Sequence, residues 1–108
     1  MSETRFVAYC RANGRAVLAG EMPTIETQEA MLARHVAAAG GRLLVTYVDN
    51  EGPMIAGRPG FASALEACAE HGATLLFCAG GDFPDPTSAE TLAGAGAPWL
   101  VLDDAGGV

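Results

Sequence analysis

The chain has 108 residues, half of them hydrophobic and 6% aromatic, and its formal net charge is -7. That length supports one domain with an ordinary, mainly aliphatic core. All six basic residues are arginines within the first 58 positions, where six acids balance them, whereas residues 59 to 108 carry seven acids and no base. Phosphate neutralisation by Lys and Arg supplies most of the affinity for DNA, so the composition speaks against this chain binding a duplex alone.

Arg5 to Cys10 is an apolar run that reads as a buried first strand. Residues 11 to 23 read as a loop, broken by Gly14, Gly20 and Pro23. Thr24 is placed to N-cap a helix that Gly40-Gly41 closes, with Glu26 in its first turn and Ile25, Leu32, Val36 and Ala39 on one face. Arg42 to Val48 is the second strand, and residues 49 to 60 form a Gly/Pro-rich loop.

Phe61 to His71 is the second helix, with Phe61, Leu65 and Cys68 as its inner stripe and Gly72 as its stop. Thr74 to Cys78 is a short strand. After a loop over 79 to 86, Pro86 or Thr87 opens a third helix, which ends between Gly94 and Pro98. Pro98 to Leu102 is the last strand, with Trp99 expected in the core. Each strand is nearly continuous in apolar residues, as expected where helices cover both faces of a sheet. Strands alternating with helices predict an α/β fold with three layers and a mostly parallel four-stranded sheet of the flavodoxin-like kind.

Cys10, Cys68 and Cys78 are odd in number and lack C-x-x-C spacing, so buried thiols in a reducing, cytoplasmic setting are expected. No apolar run approaches the ~18 residues of a membrane span, and no signal-peptide pattern opens the chain.

Ligands of open parallel sheets gather at the carboxyl ends of the strands. The loops predicted there carry Tyr9-Cys10-Arg11-Ala12-Asn13, Tyr47-Val48-Asp49, Arg58-Pro59-Gly60-Phe61 and Asp82, with Thr24 to Gln28 opening the first helix. In order and spacing, over residues 5 to 102, these motifs resemble the catalytic domain of the serine recombinases, the resolvase/invertase family. The resemblance implies that Arg11 and Arg58 face a DNA phosphate, with Gln28, Asp49 and Asp82 in support. A planar guanidinium suits that work because it binds phosphate oxygens bidentately and stays charged.

The family's first motif runs Tyr-x-Arg-x-Ser, and its serine is the nucleophile. Asn13 stands at that position, and a carboxamide has no hydroxyl to form a phosphoserine bond. The family also carries an Asp-Arg pair and a further arginine after the third strand, whereas this chain reads Ala79-Gly80-Gly81-Asp82-Phe83-Pro84-Asp85-Pro86. Phosphoryl transfer depends on positioning and on stabilising spread negative charge. The expectation is therefore a single resolvase-like domain over 1 to 108, without the family's dimerising helix or DNA-binding module. It would be a pseudo-recombinase without strand-exchange activity and without a cofactor, acting through another recombinase subunit or self-association, or left over from a mobile element.

Blander readings stand beside these. Asn13-Gly14 is also a turn sequence. Arg11 and Arg58 could be surface ion-pair partners of Asp49 or Glu51. Asp82, Asp85, Asp103 and Asp104 could converge on Mg²⁺, although aspartate is common in turns and caps. A recombinase working through another hydroxyl would have Ser63 or Ser88, both on later helices. A small anion- or nucleotide-binding module is the third alternative, but no G-x-G-x-x-G turn follows the first strand.

Overall fold

β1 (Arg5–Asn13) is the strand on which the sheet is built, because it pairs on both sides. The computed structural model describes residues 3–13, 17–20, 23–51, 59–79 and 86–103. Within them the chain runs β1, α1 (Ile25–Ala38), β2 (Arg42–Glu51), α2 (Pro59–His71), β3 (Thr74–Ala79), α3 (Pro86–Ala95) and β4 (Trp99–Asp103). The sheet order is β2-β1-β3-β4 and every pair is parallel.

That order decides where the helices go. The first crossover moves from β1 out to β2, and the next two move the opposite way, to β3 and then β4. Right-handed connections therefore put α1 on one face and α2 and α3 on the other. The core divides accordingly. One cluster joins Val7, Tyr9, Leu75 and Phe77 to Phe61, Ala64 and Cys68 of α2 and Leu92 of α3. The other joins Phe6, Ala8, Cys10, Leu76 and Cys78 to Leu32 and Val36 of α1.

Local chemistry sets the ends of α1. The Thr24 hydroxyl accepts from the Thr27 N–H at 3.2 Å. At the other end Gly40 has φ +67°, its N–H donates to the Ala37 carbonyl at 3.1 Å, and Gly41 N–H reaches the Val36 carbonyl at 2.9 Å. These two bonds form a Schellman motif, which satisfies carbonyls that the helix leaves over. The inner face of α1 is Gln28, Leu32 and Val36. Ala39 is exposed and forms the C-cap, whereas Gln28 is buried for its hydrogen bonds.

Two sequence expectations need correction. Strands buried on both faces describe β1 and β3 but not the edges: Leu43 and Val48 of β2 and Leu100 and Val101 of β4 are exposed. Trp99 is 42% exposed rather than core. It lies on the edge strand β4, stacked on Phe77 at 6.0 Å between ring centroids. A strand with one neighbour has half the cover of a central one, whatever its hydropathy. The strands at the site also run further than their apolar residues do, β1 to Asn13 and β2 to Glu51, because they pair with each other. No helix among the described residues is long and apolar enough to cross a membrane.

Leu32 is fully buried between α1 and the sheet. Truncating it by Leu32→Ala is expected to cost about 2–5 kcal/mol, read as a lower denaturant midpoint at unchanged slope. Leu18→Ala, at a residue that is 91% exposed, is the control and should move the midpoint little.

Candidate functional site

A bulge near the start of β2 sets the register of the site. Phe6 pairs with Leu43 but Val7 with Val45, so Leu44 has no opposite number. From there Tyr9 faces Tyr47, Arg11 faces Asp49 and Asn13 faces Glu51. In-register neighbours on adjacent strands lie roughly 4.8 Å apart. Two residues that are 38 positions apart in sequence, Arg11 and Asp49, thus become neighbours at the carboxyl end of the sheet.

Asp49 is 8% exposed and, among the described residues, accepts three hydrogen bonds. The Tyr9 hydroxyl donates to Oδ2 at 2.7 Å. Gly60 N–H donates to Oδ1 at 2.8 Å and Phe61 N–H to Oδ2 at 3.1 Å. The last two donors belong to the first turn of α2, where backbone N–H groups lack partners and the helix dipole favours negative charge. The first turn of α2 has no acid of its own, so β2 supplies one. Gly60 is needed for this approach, because a Cβ there would sit 2.8 Å from Asp49 Oδ1.

Gln28 does comparable work on the other side of β1. The last described pair between β1 and β3 is Tyr9 with Phe77, while β1 continues to Asn13. Beyond that pair the Gln28 side chain takes up the backbone of Arg11. Its Oε1 accepts from Arg11 N–H at 3.2 Å, and its Nε2 donates to the Arg11 carbonyl at 2.7 Å and to the Pro23 carbonyl at 2.9 Å. A side-chain amide thus stands in for a strand residue. Gln28 is 2% exposed, so unsatisfied polar atoms there would be costly.

Arg11 is itself 3% exposed, with Nε out of reach of solvent. Its side chain is therefore enclosed rather than displayed on the surface. By strand alternation its side chain leaves β1 on the same face as Tyr9, the face that α2 covers. Among the site residues expected from sequence, Arg11, Gln28 and Asp49 are brought together. Asn13 is placed by its backbone at the end of β1 beside Glu51. Arg58 and Asp82 lie outside the described residues, as do Asp85 and Asp104. Ser63 and Ser88 are on α2 and α3, and Ser88 is buried. Among the described residues, no group of three or more His, Cys, Asp or Glu is arranged to hold a metal ion.

Tyr9 was not singled out by the sequence reading, beyond its place in the first motif. The signal was there: a tyrosine within a buried strand must find a partner for its hydroxyl. A cavity of about 440 Å³ bordered by Glu3, Thr4, Arg5, His71 and Gly72 lies at the opposite end of the strands. There Arg5 Nη1 donates to the His71 carbonyl at 3.2 Å, and the cavity has no part in this site. Compared with family models, with curated proteins and with solved structures, the chain matches none.

Gln28→Glu keeps the shape but removes both donated bonds and sets a carboxylate against two carbonyl oxygens. It should destabilise more than Gln28→Ala, which is expected to cost about 1–3 kcal/mol; urea unfolding orders the two. Tyr9→Phe removes one bond to Asp49, whereas Asp49→Ala removes the acceptor from all three donors. The expected losses are about 1 kcal/mol for Tyr9→Phe and larger, up to about 3 kcal/mol, for Asp49→Ala. Equal effects would show that the helix N–H groups gain nothing from the carboxylate.

Proposed function

We propose that this chain is a resolvase-type domain that does not carry out strand exchange and acts through protein contacts. The observation that carries the reading is the order along β1 and its neighbour: Arg11 beside Asp49, and Asn13 two residues on, at the end of the strand. The resemblance puts a nucleophilic serine at that last position. A hydroxyl can be deprotonated and can attack phosphorus. The nitrogen lone pair of an asparagine amide is delocalised into its carbonyl, and the group supplies no such nucleophile.

The rest of the chain agrees with this reading. The order β2-β1-β3-β4 reverses direction between β1 and β3, which is the switch point where α/β sheets bind ligands. Gln28 and Asp49 tie β1 to its neighbours there through buried hydrogen bonds. Residues 59 to 108 carry no base, so that half of the chain offers no cation to the phosphates of a DNA complex. An acidic surface suits association with a basic protein partner, since complementary potentials steer encounter and fix register.

The switch-point opening also favours a second reading, a small anion- or nucleotide-binding module without a DNA role. It predicts a thermal shift with inorganic phosphate or a nucleotide that Arg58→Ala removes. No shift across a nucleotide panel would eliminate it.

On supercoiled DNA carrying recombination sites, the chain is expected to give no covalent protein–DNA adduct. Asn13→Ser should also give none, because the cations after the third strand remain missing. An adduct from the unaltered chain that survives denaturation overturns the proposal. An adduct from Asn13→Ser alone would show that the cleft is intact in every respect but its nucleophile.

A further inference from the structure

Cys10 and Cys78 belong to no part of the proposed function, and their placement is specific. Tyr9 on β1 pairs with Phe77 on β3, so the next residue along each strand is a cysteine. Both thiols enter the apolar cluster under α1, together with Ala8, Leu32 and Leu76. Cys68 packs into the cluster on the opposite face of the sheet. All three are reduced and buried.

We propose that Cys10 and Cys78 are a latent disulfide pair that can staple β1 to β3 at the root of the cleft. Tyr9 and Phe77, the last paired residues, stand at the roughly 4.8 Å spacing of neighbouring strands, and the cysteines one residue further on need only stay within the Cα separation of about 4.4–6.8 Å that a disulfide spans. The two side chains leave their strands on the same face, as the shared cluster requires. Burial, chiefly, pushes the Cys10 thiol up to about 12, with Glu29 and then Cys78 adding to the shift. Cys78 is thus close enough to be felt electrostatically at Cys10. The same burial makes Cys10 slow to react at neutral pH, since the thiolate is the reactive form.

Position gives the bond its consequence. Past Tyr9 and Phe77 the described pairing between β1 and β3 stops, while β1–β2 pairing continues to Asn13 and β3–β4 pairing to Asp103. From there the ladder continues within the β2–β1 pair and within the β3–β4 pair. A bond between Cys10 and Cys78 would tie the two pairs together one residue below Arg11.

A hydroperoxide is the oxidant class that suits the chemistry. Cys78 is 6% exposed and Cys10 is 0% exposed, so Cys78 is the thiol a small oxidant reaches first. Its sulfur, as thiolate, attacks the peroxide, the O–O bond breaks, an alcohol leaves (water from hydrogen peroxide), and a sulfenic acid remains. Cys10 sulfur then attacks the sulfenic sulfur and expels water. In sum, two thiols and one hydroperoxide give one disulfide, one alcohol or water, and one further water.

The test treats the reduced chain with hydrogen peroxide, unfolds it, alkylates the remaining thiols and maps the peptides without reductant. The expected result is the loss of two of the three alkylatable thiols, with Cys10 and Cys78 in one linked peptide that a dithiol reductant separates again. Cys68→Ala should form the same link, and Cys10→Ala should not. The mapped link in the unaltered chain stands as evidence even if Cys10→Ala fails to fold. Three alkylatable thiols after oxidation, a link that involves Cys68, a disulfide between chains, or Cys78 carried on to sulfinic acid without linking would each overturn the proposal.

Discussion

The Asp49 carboxylate gathers donors from two separate places: the hydroxyl of Tyr9 in the central strand and the N–H groups of Gly60 and Phe61 in the first turn of α2. It closes the polar account of three elements with one side chain. The helix end would otherwise bring unpaired N–H groups against a core that also contains a tyrosine hydroxyl, and buried donors without acceptors are costly. The bulge at Leu44 belongs to the same arrangement. It shifts β2 by one residue, so that Val45, Tyr47 and Asp49 share a face and register with Val7, Tyr9 and Arg11.

The other side of β1 is organised by a neutral group. Gln28 meets the Arg11 backbone with one acceptor and one donor, matching the two atoms a strand residue exposes toward its neighbour. This lets β1 continue toward Asn13 where β3 no longer accompanies it. The carboxyl end of β1 is therefore held by an amide on one side and a carboxylate on the other. Such a frame holds geometry. What chemistry it supports depends on what stands at its rim, and position 13 carries an amide.

Much of the fold was legible from the chain. Thr24, Gly40 and Gly41 mark the ends of α1 by local hydrogen bonding, and they act as expected. The alternation of strands and helices implied parallel pairing, and all four strands are parallel. The inner faces of the helices were read less well. Leu65 was expected in the core and is only partly buried, while Ala64 and Ala67 carry the close contact with the sheet. Small residues let a helix approach a sheet closely, and hydropathy ranks them below leucine. Of the site, Arg11, Gln28 and Asp49 were named through short motifs, but their partners were not. Gln28 binds backbone atoms of Arg11 and Pro23, and Asp49 binds backbone atoms of a helix end. Backbone donors and acceptors carry no residue identity, so no pattern of letters reveals them.

The sequence by itself determined the elements, their order, the parallel class of the sheet and the uneven charge of its two halves. Each of these follows from local propensity, from periodicity or from counting. Only the tertiary structure decided that β2 and β4 are edges, that Trp99 sits partly in solvent while Arg11 is buried, and that Cys10 and Cys78 enter one apolar cluster. Burial is a property of neighbours rather than of residues. The same apolar run is covered in the middle of a sheet and half open at its rim, and strand order is settled by how helices and strands pack across the whole chain.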